Sequence, residues 1–324
     1  MKAAYINETG PPEAIVFGEL PMPVLADDDV LVKVKVVAVD PIDTYIRAGI
    51  YKLNLPFPFV IGRDMVGCVE KAGKNAQDFK QGDLVWANNQ GYDGRQGTFA
   101  EFICVNKEFL YKLPPNSDEK QSVAVLHSAL TSWLGLIQKA QLKAGEKLFI
   151  NGGSGNVGTA VLQMAKNLGA QVAVTAGSKD KAAWCKELGA DMVINYKEQS
   201  IDEELMKFAS NGVNVFWDAT KTPDLNAALH LVAERGRLIV MAGAQHQCQL
   251  ATGEFYLRNC TLYGFTITGL KAPELKEASN AINQLLKNKN LKTKILDVMP
   301  LSQTAKAHAL MASGDLFGKI LLEP

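Results

Sequence analysis

The sequence predicts an α/β protein in two parts: a β-rich, barrel-like catalytic domain and a doubly wound parallel sheet covered by helices. Three observations predict it. Short β-like runs separated by Gly and Pro fill the first third of the chain, and after Pro114-Pro115 strand and helix signals alternate at regular intervals. A glycine-rich loop then stands where the first of the alternating strands gives way to a helix. The length of 324 residues agrees with two domains at roughly 100–200 residues each.

The clearest strand in the first part is Val30–Val39, where Val32, Val34 and Val36 alternate with Lys33 and Lys35, so one face is buried. Further β runs are expected at Val66–Glu70, Asp83–Trp86 and Thr98–Val105, punctuated by segments such as Leu55-Pro56-Phe57-Pro58. Ser117 is placed to cap a helix running through Leu126–Ile137. Strands are then expected at Lys147–Asn151, Gln171–Thr175, Met192–Asn195, Val213–Trp217, Arg237–Met241 and Thr261–Phe265, with helices between most of them. The strongest helical periodicity is Val157, Ala160, Val161, Met164, Ala165 and Leu168, closed by Gly169. The tail after Gly269 offers two helical segments and a strand-like Lys319–Leu322, too little for a separate domain. The expected division is 1–122 with 267–324 for the first domain and 123–266 for the second.

Composition excludes several classes of function. Lys plus Arg (34) balances Asp plus Glu (34), so no global field attracts nucleic acid or an anionic membrane. The five cysteines, Cys68, Cys104, Cys185, Cys248 and Cys260, are scattered without a CxxC pair, which argues against a disulfide framework and a structural zinc lobe and fits a reducing cytoplasm. The N-terminus MKAAYINETGPPEA lacks an apolar targeting core, and no apolar run reaches the ~18 residues needed to span a bilayer.

The loop Asn151–Gly158 reads NGGSGNVG, in which Gly153, Gly155 and Gly158 form GxGxxG after a strand and at the start of a helix. The first Gly permits the tight turn, the second lets a pyrophosphate approach the backbone, and the third lets helix pack on strand. Helix N-terminal amides then favour the negative charge. A serine nucleophile elbow is nearly spelled by Gly152–Asn156 but has Asn156 in its last position, and a P-loop GK[ST] is missing. Twenty residues on, an NAD-binding sheet usually carries Asp or Glu. Here the segment is Thr175-Ala176-Gly177-Ser178-Lys179-Asp180-Lys181, where no carboxylate opposes a 2′-phosphate and Ser178 with Lys179 or Lys181 can bind it. NADPH is the expected cofactor.

Several segments in order resemble the zinc-independent medium-chain dehydrogenase/reductases of the quinone oxidoreductase (ζ-crystallin-like) branch. They are VDPIDTYIRAGIY (Val39–Tyr51), IGRDMVGCVEKAG (Ile61–Gly73), GDLVW (Gly82–Trp86), GTFAEF (Gly97–Phe102), the glycine loop, GADMVINY (Gly189–Tyr196) and AHALMASGDLFGKILL (Ala307–Leu322). The resemblance implies a GroES-like β-barrel catalytic domain built from both chain ends with an inserted Rossmann domain. It also implies hydride transfer from NADPH to a quinone. It places Lys181 and Tyr196 near the adenosine 2′-phosphate, and Tyr45 and Tyr51 near the nicotinamide. The candidate cofactor-binding set is Thr131, Gly153, Gly155, Asn156, Val157, Gly158, Ser178, Lys181, Tyr196, Ala242 and Gly243. Asn156 is also expected to cap the loop's helix.

Zinc-using relatives hold their metal at positions that align with Asp40, Arg63 and His127. Arg cannot lose its proton to become a ligand, so no metal is expected. Asp40, Tyr45, Tyr51, Arg63 and His127 form the candidate catalytic set. Asp40 is expected to pair with Arg63, and a carboxylate beside His127 would favour its protonated form and a role as proton donor. The segment Arg258–Phe265 resembles the edge strand through which family members dimerise, so a cytoplasmic homodimer acting on a small quinone or enone is expected. The runner-up activity is reduction of α,β-unsaturated carbonyls or enoyl thioesters. A reading from another class is a non-catalytic NADPH-binding regulator or crystallin-like protein.

Overall fold

The computed structural model describes residues 1–314 and 316–324. Two short antiparallel strands, β1 (Lys2–Ile6) and β2 (Val16–Glu19), open the chain, followed by the long β3 (Asp29–Val39). Its alternating valines are buried while Lys33 and Lys35 face solvent, as period two requires. Helix α1 (Pro41–Arg47) follows at once, with Pro41 at its first position, where a missing N–H costs nothing. Then come β4 (Phe59–Val60), β5 (Asp64–Ala72), β6 (Leu84–Ala87), β7 (Phe102–Asn106) and β8 (Tyr111–Lys112). Helix α2 (Glu119–Trp133) is capped by Asp118, whose Oδ1 accepts the Gln121 N–H at 2.9 Å; Ser117, the expected cap, lies one residue too early.

The alternating part supplies β9 (Lys147–Asn151), α3 (Asn156–Asn167), β10 (Gln171–Ala176), α4 (Lys179–Glu187) and β11 (Met192–Asn195). It continues through α5 (Ile201–Phe208), β12 (Val213–Asp218), α6 (Leu225–Leu231), β13 (Val232–Val240), α7 (Thr252–Leu257) and β14 (Thr261–Gly264). These six strands form one parallel sheet in the order β11-β10-β9-β12-β13-β14. The order reverses beside β9, which makes a switch point at the carboxyl end of that strand, the Rossmann arrangement. Strand β13 begins five residues earlier than its periodicity suggests, because Arg235 (φ 59°) and a register irregularity let the chain bend within it. Phe149, Ile194, Leu205, Phe216 and Leu238 form the core on one side of this sheet.

The tail contains α8 (Ala272–Lys287), β15 (Ile295–Pro300), α9 (Thr304–Ser313) and β16 (Lys319–Glu323). Strand β15 was not legible from periodicity, since it is a half-exposed sheet edge with Leu296 facing solvent. It runs parallel to β16, which in turn lies antiparallel to β3 in a seven-stranded GroES-like sheet. Val32, Ile46, Phe59, Met65, Phe99 and Leu322 belong to the core of this part. Two units result: residues 1–127 with 268–324, and residues 128–267. Among the described residues, no helix is long and apolar enough to cross a membrane.

Candidate active site

The glycine loop joins β9 to α3, and its three glycines are needed for different reasons. A Cβ on Gly158 would lie 2.3 Å from the Gly152 carbonyl oxygen, and one on Gly153 would lie 2.4 Å from the Val174 side chain, so the fold itself demands glycine at both. A Cβ on Gly155 would meet nothing closer than 3.5 Å. The free space there opens onto the first turn of α3, whose unpaired amides suit an anion. Gly155 rather than Asn156 is the N-cap of α3; Asn156 is already helical and supplies one of those amides, so the expected cap is corrected.

Three polar residues not foreseen in the sequence hold the loop. Thr175 on β10 accepts the Gly152 N–H through its Oγ1 at 2.7 Å and donates to Asn151 Oδ1 at 3.1 Å. The Thr175 carbonyl accepts the Gly153 N–H at 3.1 Å. The Asn151 amide reaches Asp218 at the end of β12, and Asp218 Oδ1 accepts both the Thr220 N–H (2.8 Å) and its hydroxyl (2.6 Å). The loop is thus held by hydrogen bonds from the ends of β10 and β12.

The remaining candidate cofactor residues follow the carboxyl ends of neighbouring parallel strands. Ser178 follows β10 and caps α4, its Oγ accepting the Lys181 N–H at 3.3 Å, so its own hydroxyl proton can still be donated. Tyr196 follows β11, and its hydroxyl oxygen lies 2.5 Å from the point where a Gly177 side chain would begin. Ala242 and Gly243 (φ 80°) follow β13, and Thr131 is buried on α2. The ends of four strands, β9, β10, β11 and β13, therefore present the loop, Ser178, Tyr196, Ala242 and Gly243 along one edge of the sheet, the edge where doubly wound sheets take ligands.

In the other unit, the ends of three adjacent strands bring charged groups together. Ile320 pairs with Val39, and one further step of that register sets Lys319 opposite Asp40. On the far side of β3, Asp64 pairs with Ala38, which brings Arg63 and Asp64 to the same end. Lys319 and Asp40 form an ion pair with both side chains removed from solvent. This corrects the expected Asp40–Arg63 pair: the antiparallel partner strand delivers an ammonium directly, while none of the Arg63 guanidinium nitrogens has a hydrogen-bond partner. Asp43, on the first turn of α1, accepts the Asp40 N–H at 2.7 Å. Asp43, Asp64 and Lys319 were not among the sequence candidates; the visible signal for Asp64 was its place beside Arg63 in GRD.

The cluster sorts its protons by environment. Burial alone would raise the Asp40 carboxyl, but Lys319, His127 and Arg63 together hold it below the ordinary carboxylate range. Burial, and then the Asp40 charge, push Asp43 up to about 8. Burial and Asp40 likewise push Asp64 well above its usual range. The half-buried His127 has its Nδ1 shielded from solvent; burial, with Lys319 and Arg63, brings the imidazole down to about 4 against the pull of Asp40. His127 is therefore neutral at pH 7, contrary to the expected protonated form, because desolvation and two cations outweigh one carboxylate. Tyr45 on α1 and Tyr51 just after it lie with ring centroids 6.0 Å apart.

Residues 26–115 match the family described as alcohol dehydrogenase GroES-like domain, and residues 156–284 the family described as zinc-binding dehydrogenase. The quinone oxidoreductase of Pongo abelii is 30% identical over 325 residues, covering 99% of this chain and 97% of that protein. The chain belongs to the medium-chain dehydrogenase/reductase family, in its quinone oxidoreductase branch. Within that family, the Escherichia coli quinone oxidoreductase complexed with NADPH has a TM-score of 0.86 at 25% identity, with both chains covered completely. The NADPH-dependent alkenal/one oxidoreductase of Arabidopsis thaliana is 31% identical over 229 residues, 69% of this chain and 57% of that one. This member of the family is an oxidoreductase that uses a nicotinamide cofactor, and the loop, strand ends and α3 N-terminus described above fit such a dinucleotide.

The family also includes zinc enzymes. Asp40, Asp64 and His127 do converge, with one donor atom from each lying within 4.8 Å of the others. The set does not fit a divalent ion: the Lys319 ammonium already stands against Asp40, the Arg63 guanidinium is buried beside it, and burial raises the Asp64 carboxyl well above its usual range.

Proposed function

We propose that this chain is an NADPH-dependent reductase that passes a hydride to quinones without zinc. The observation that carries the cofactor choice is the end of β10, where Gly177 lies beneath the Tyr196 hydroxyl and none of Ala176, Gly177 and Ser178 carries a carboxylate. NADPH, when bound, supplies the hydride from its nicotinamide. The α3 amides from Asn156, Val157 and Gly158 hold the pyrophosphate, with Gly155 giving it room. Ser178, Lys181 and Tyr196 hold the 2′-phosphate. Full-length similarity to quinone oxidoreductases supports the acceptor class.

His127, lowered to about 4, is a poor acid at pH 7, so the proton that completes the hydroquinone comes from water. Asp40, ionised against Lys319, and Arg63 keep this part of the protein polar and fixed without a metal. The chain assembles as a homodimer through the β14 edge. Reduction of α,β-unsaturated carbonyls is the second reading, favoured by the similarity to the Arabidopsis alkenal/one oxidoreductase.

The test is steady-state oxidation of NADPH and NADH with a panel of quinones, alkenals and enoyl-CoA esters, with and without EDTA. The expected result is turnover with NADPH and quinones, unchanged by the chelator. Turnover confined to alkenals would select the second reading. Activity lost in EDTA and restored only by zinc would overturn the zinc-free mechanism.

A further inference from the structure

We infer that Lys319 is an internal substitute for a metal ion: its ammonium is the counter-ion of Asp40 and closes the Asp40–Asp64–His127 group to divalent cations. The inference rests on the zinc-free part of the proposed function and adds the residue responsible for it.

Three observations carry it. Lys319 is fully buried, a rare state for a lysine, and the partner it meets there is the equally buried Asp40. The position is built into the backbone. The Lys319 N–H donates to the Lys294 carbonyl at 2.8 Å, and the register of β16 on β3 sets Lys319 opposite Asp40. Gly318 precedes it at φ 141°, where a side chain would lie 3.0 Å from the same carbonyl oxygen, so the chain enters β16 in one way only. Finally, the oxygen, oxygen and nitrogen donors within 4.8 Å of one another are a set that divalent cations take readily once no competing charge is present. Among the described residues, the second carboxyl oxygen of Asp40 and both of Asp64 are buried without a hydrogen-bond partner, so donor capacity remains unused.

A divalent ion in this position would face the fully buried Lys319 ammonium at short range in a poorly screened environment. Removing the positive charge while keeping the volume, as in Lys319→Met, takes from the buried Asp40 carboxylate the cation it is paired with, and the Arg63 guanidinium nearby, unpartnered among the described residues, does not replace that contact. Zinc or cobalt then supplies it.

The experiment compares metal-stripped wild-type protein with Lys319→Met, Lys319→Arg and the double variant Asp40→Asn/Lys319→Met, without NADPH or acceptor. Cobalt(II) binding is followed by visible absorption and zinc binding by calorimetry, with thermal midpoints measured in parallel. Lys319→Met is expected to bind one cobalt or zinc ion at least tenfold more tightly than wild type and to gain thermal stability with zinc. Wild type, Lys319→Arg and the double variant should show neither change.

Should Lys319→Met fail to fold without metal, recovery of folding in the double variant, which removes the Asp40 and Lys319 charges together, supports the counter-ion role. Lack of recovery overturns it. A folded Lys319→Met that gains no metal affinity overturns the inference and leaves the proposed reductase untouched. Stoichiometric zinc on wild type, lost in His127→Asn, overturns both this inference and the zinc-free mechanism.

Discussion

The hydroxyl of Tyr196 lies 2.5 Å from the point at which a side chain on Gly177 would begin. A residue after β11 therefore sits over the end of β10, and a side chain at 177 would push the exposed Tyr196 ring aside. An aspartate at 177 would both displace the phenol and repel a 2′-phosphate.

The cofactor prediction follows from that contact. NADPH should be preferred over NADH by about ten- to a hundredfold, the worth of one charge-assisted hydrogen bond of about 1.5–3 kcal/mol. Lys181→Ala should erode the preference more than Lys179→Ala, and Gly177→Asp should erode it further, read as the ratio of kcat/KM for the two cofactors. Equal efficiencies in the wild-type enzyme would refute the assignment.

The glycine loop should separate folding from binding. Gly158→Ala forces a Cβ against the Gly152 carbonyl and should cost about 1–3 kcal/mol or more, measured by denaturant unfolding. Gly155→Ala meets no such obstacle and should keep stability within about 1 kcal/mol, the scale of an N-cap change, while weakening NADPH at least tenfold. If both variants lost only stability, the role of Gly155 in cofactor binding would be refuted.

Acid stability should depend on His308. It is fully buried on α9, neither ring nitrogen has a hydrogen-bond partner, and burial with the nearby Arg47 brings its pKa down from 6.5 to about 3. A histidine depressed in the folded state takes up a proton on unfolding, so its contribution is present above about 6.5 and lost as pH falls towards 3. The stability of wild type relative to His308→Gln should decline by about 1.4 kcal/mol per pH unit between about pH 6 and 4. Parallel pH profiles for the two proteins would show that His308 is not responsible. Asp43 acts in the opposite sense: with its carboxyl pushed up from 3.8 to about 8, its contribution is present below about 3.8 and is lost progressively as pH rises from there to about 8, and Asp43→Asn should flatten the decline over that range.

Assembly is the last prediction. Strand β14 ends the order of the parallel sheet, and beside it Tyr256 and Leu257 of α7 are 67% and 71% exposed. An open strand edge with exposed apolar neighbours is a pairing surface. Light scattering at micromolar concentration should give twice the mass of one chain, and Leu257→Lys with Leu262→Lys should reduce it to one. A monomer mass for the wild type would contradict the dimer.

The sequence by itself determined what depends on near neighbours. The alternation of Val32, Val34 and Val36 with lysines and the helical spacing from Val157 to Leu168 are local periodicities, and so they were legible. The GxGxxG loop between a strand and a helix was legible for the same reason, and with it the α/β class and the dinucleotide edge. Lys319 and Asp40 are 279 residues apart, and no local pattern marks Lys319 as buried or as the partner of Asp40. Only the register of β16 on β3 decided that pair, and only burial in common decided that the Asp43 and Asp64 carboxyls are raised while the His127 imidazole is lowered. Register and desolvation are set by the packed strands as a whole, because moving a strand by one residue turns every side chain to the other face.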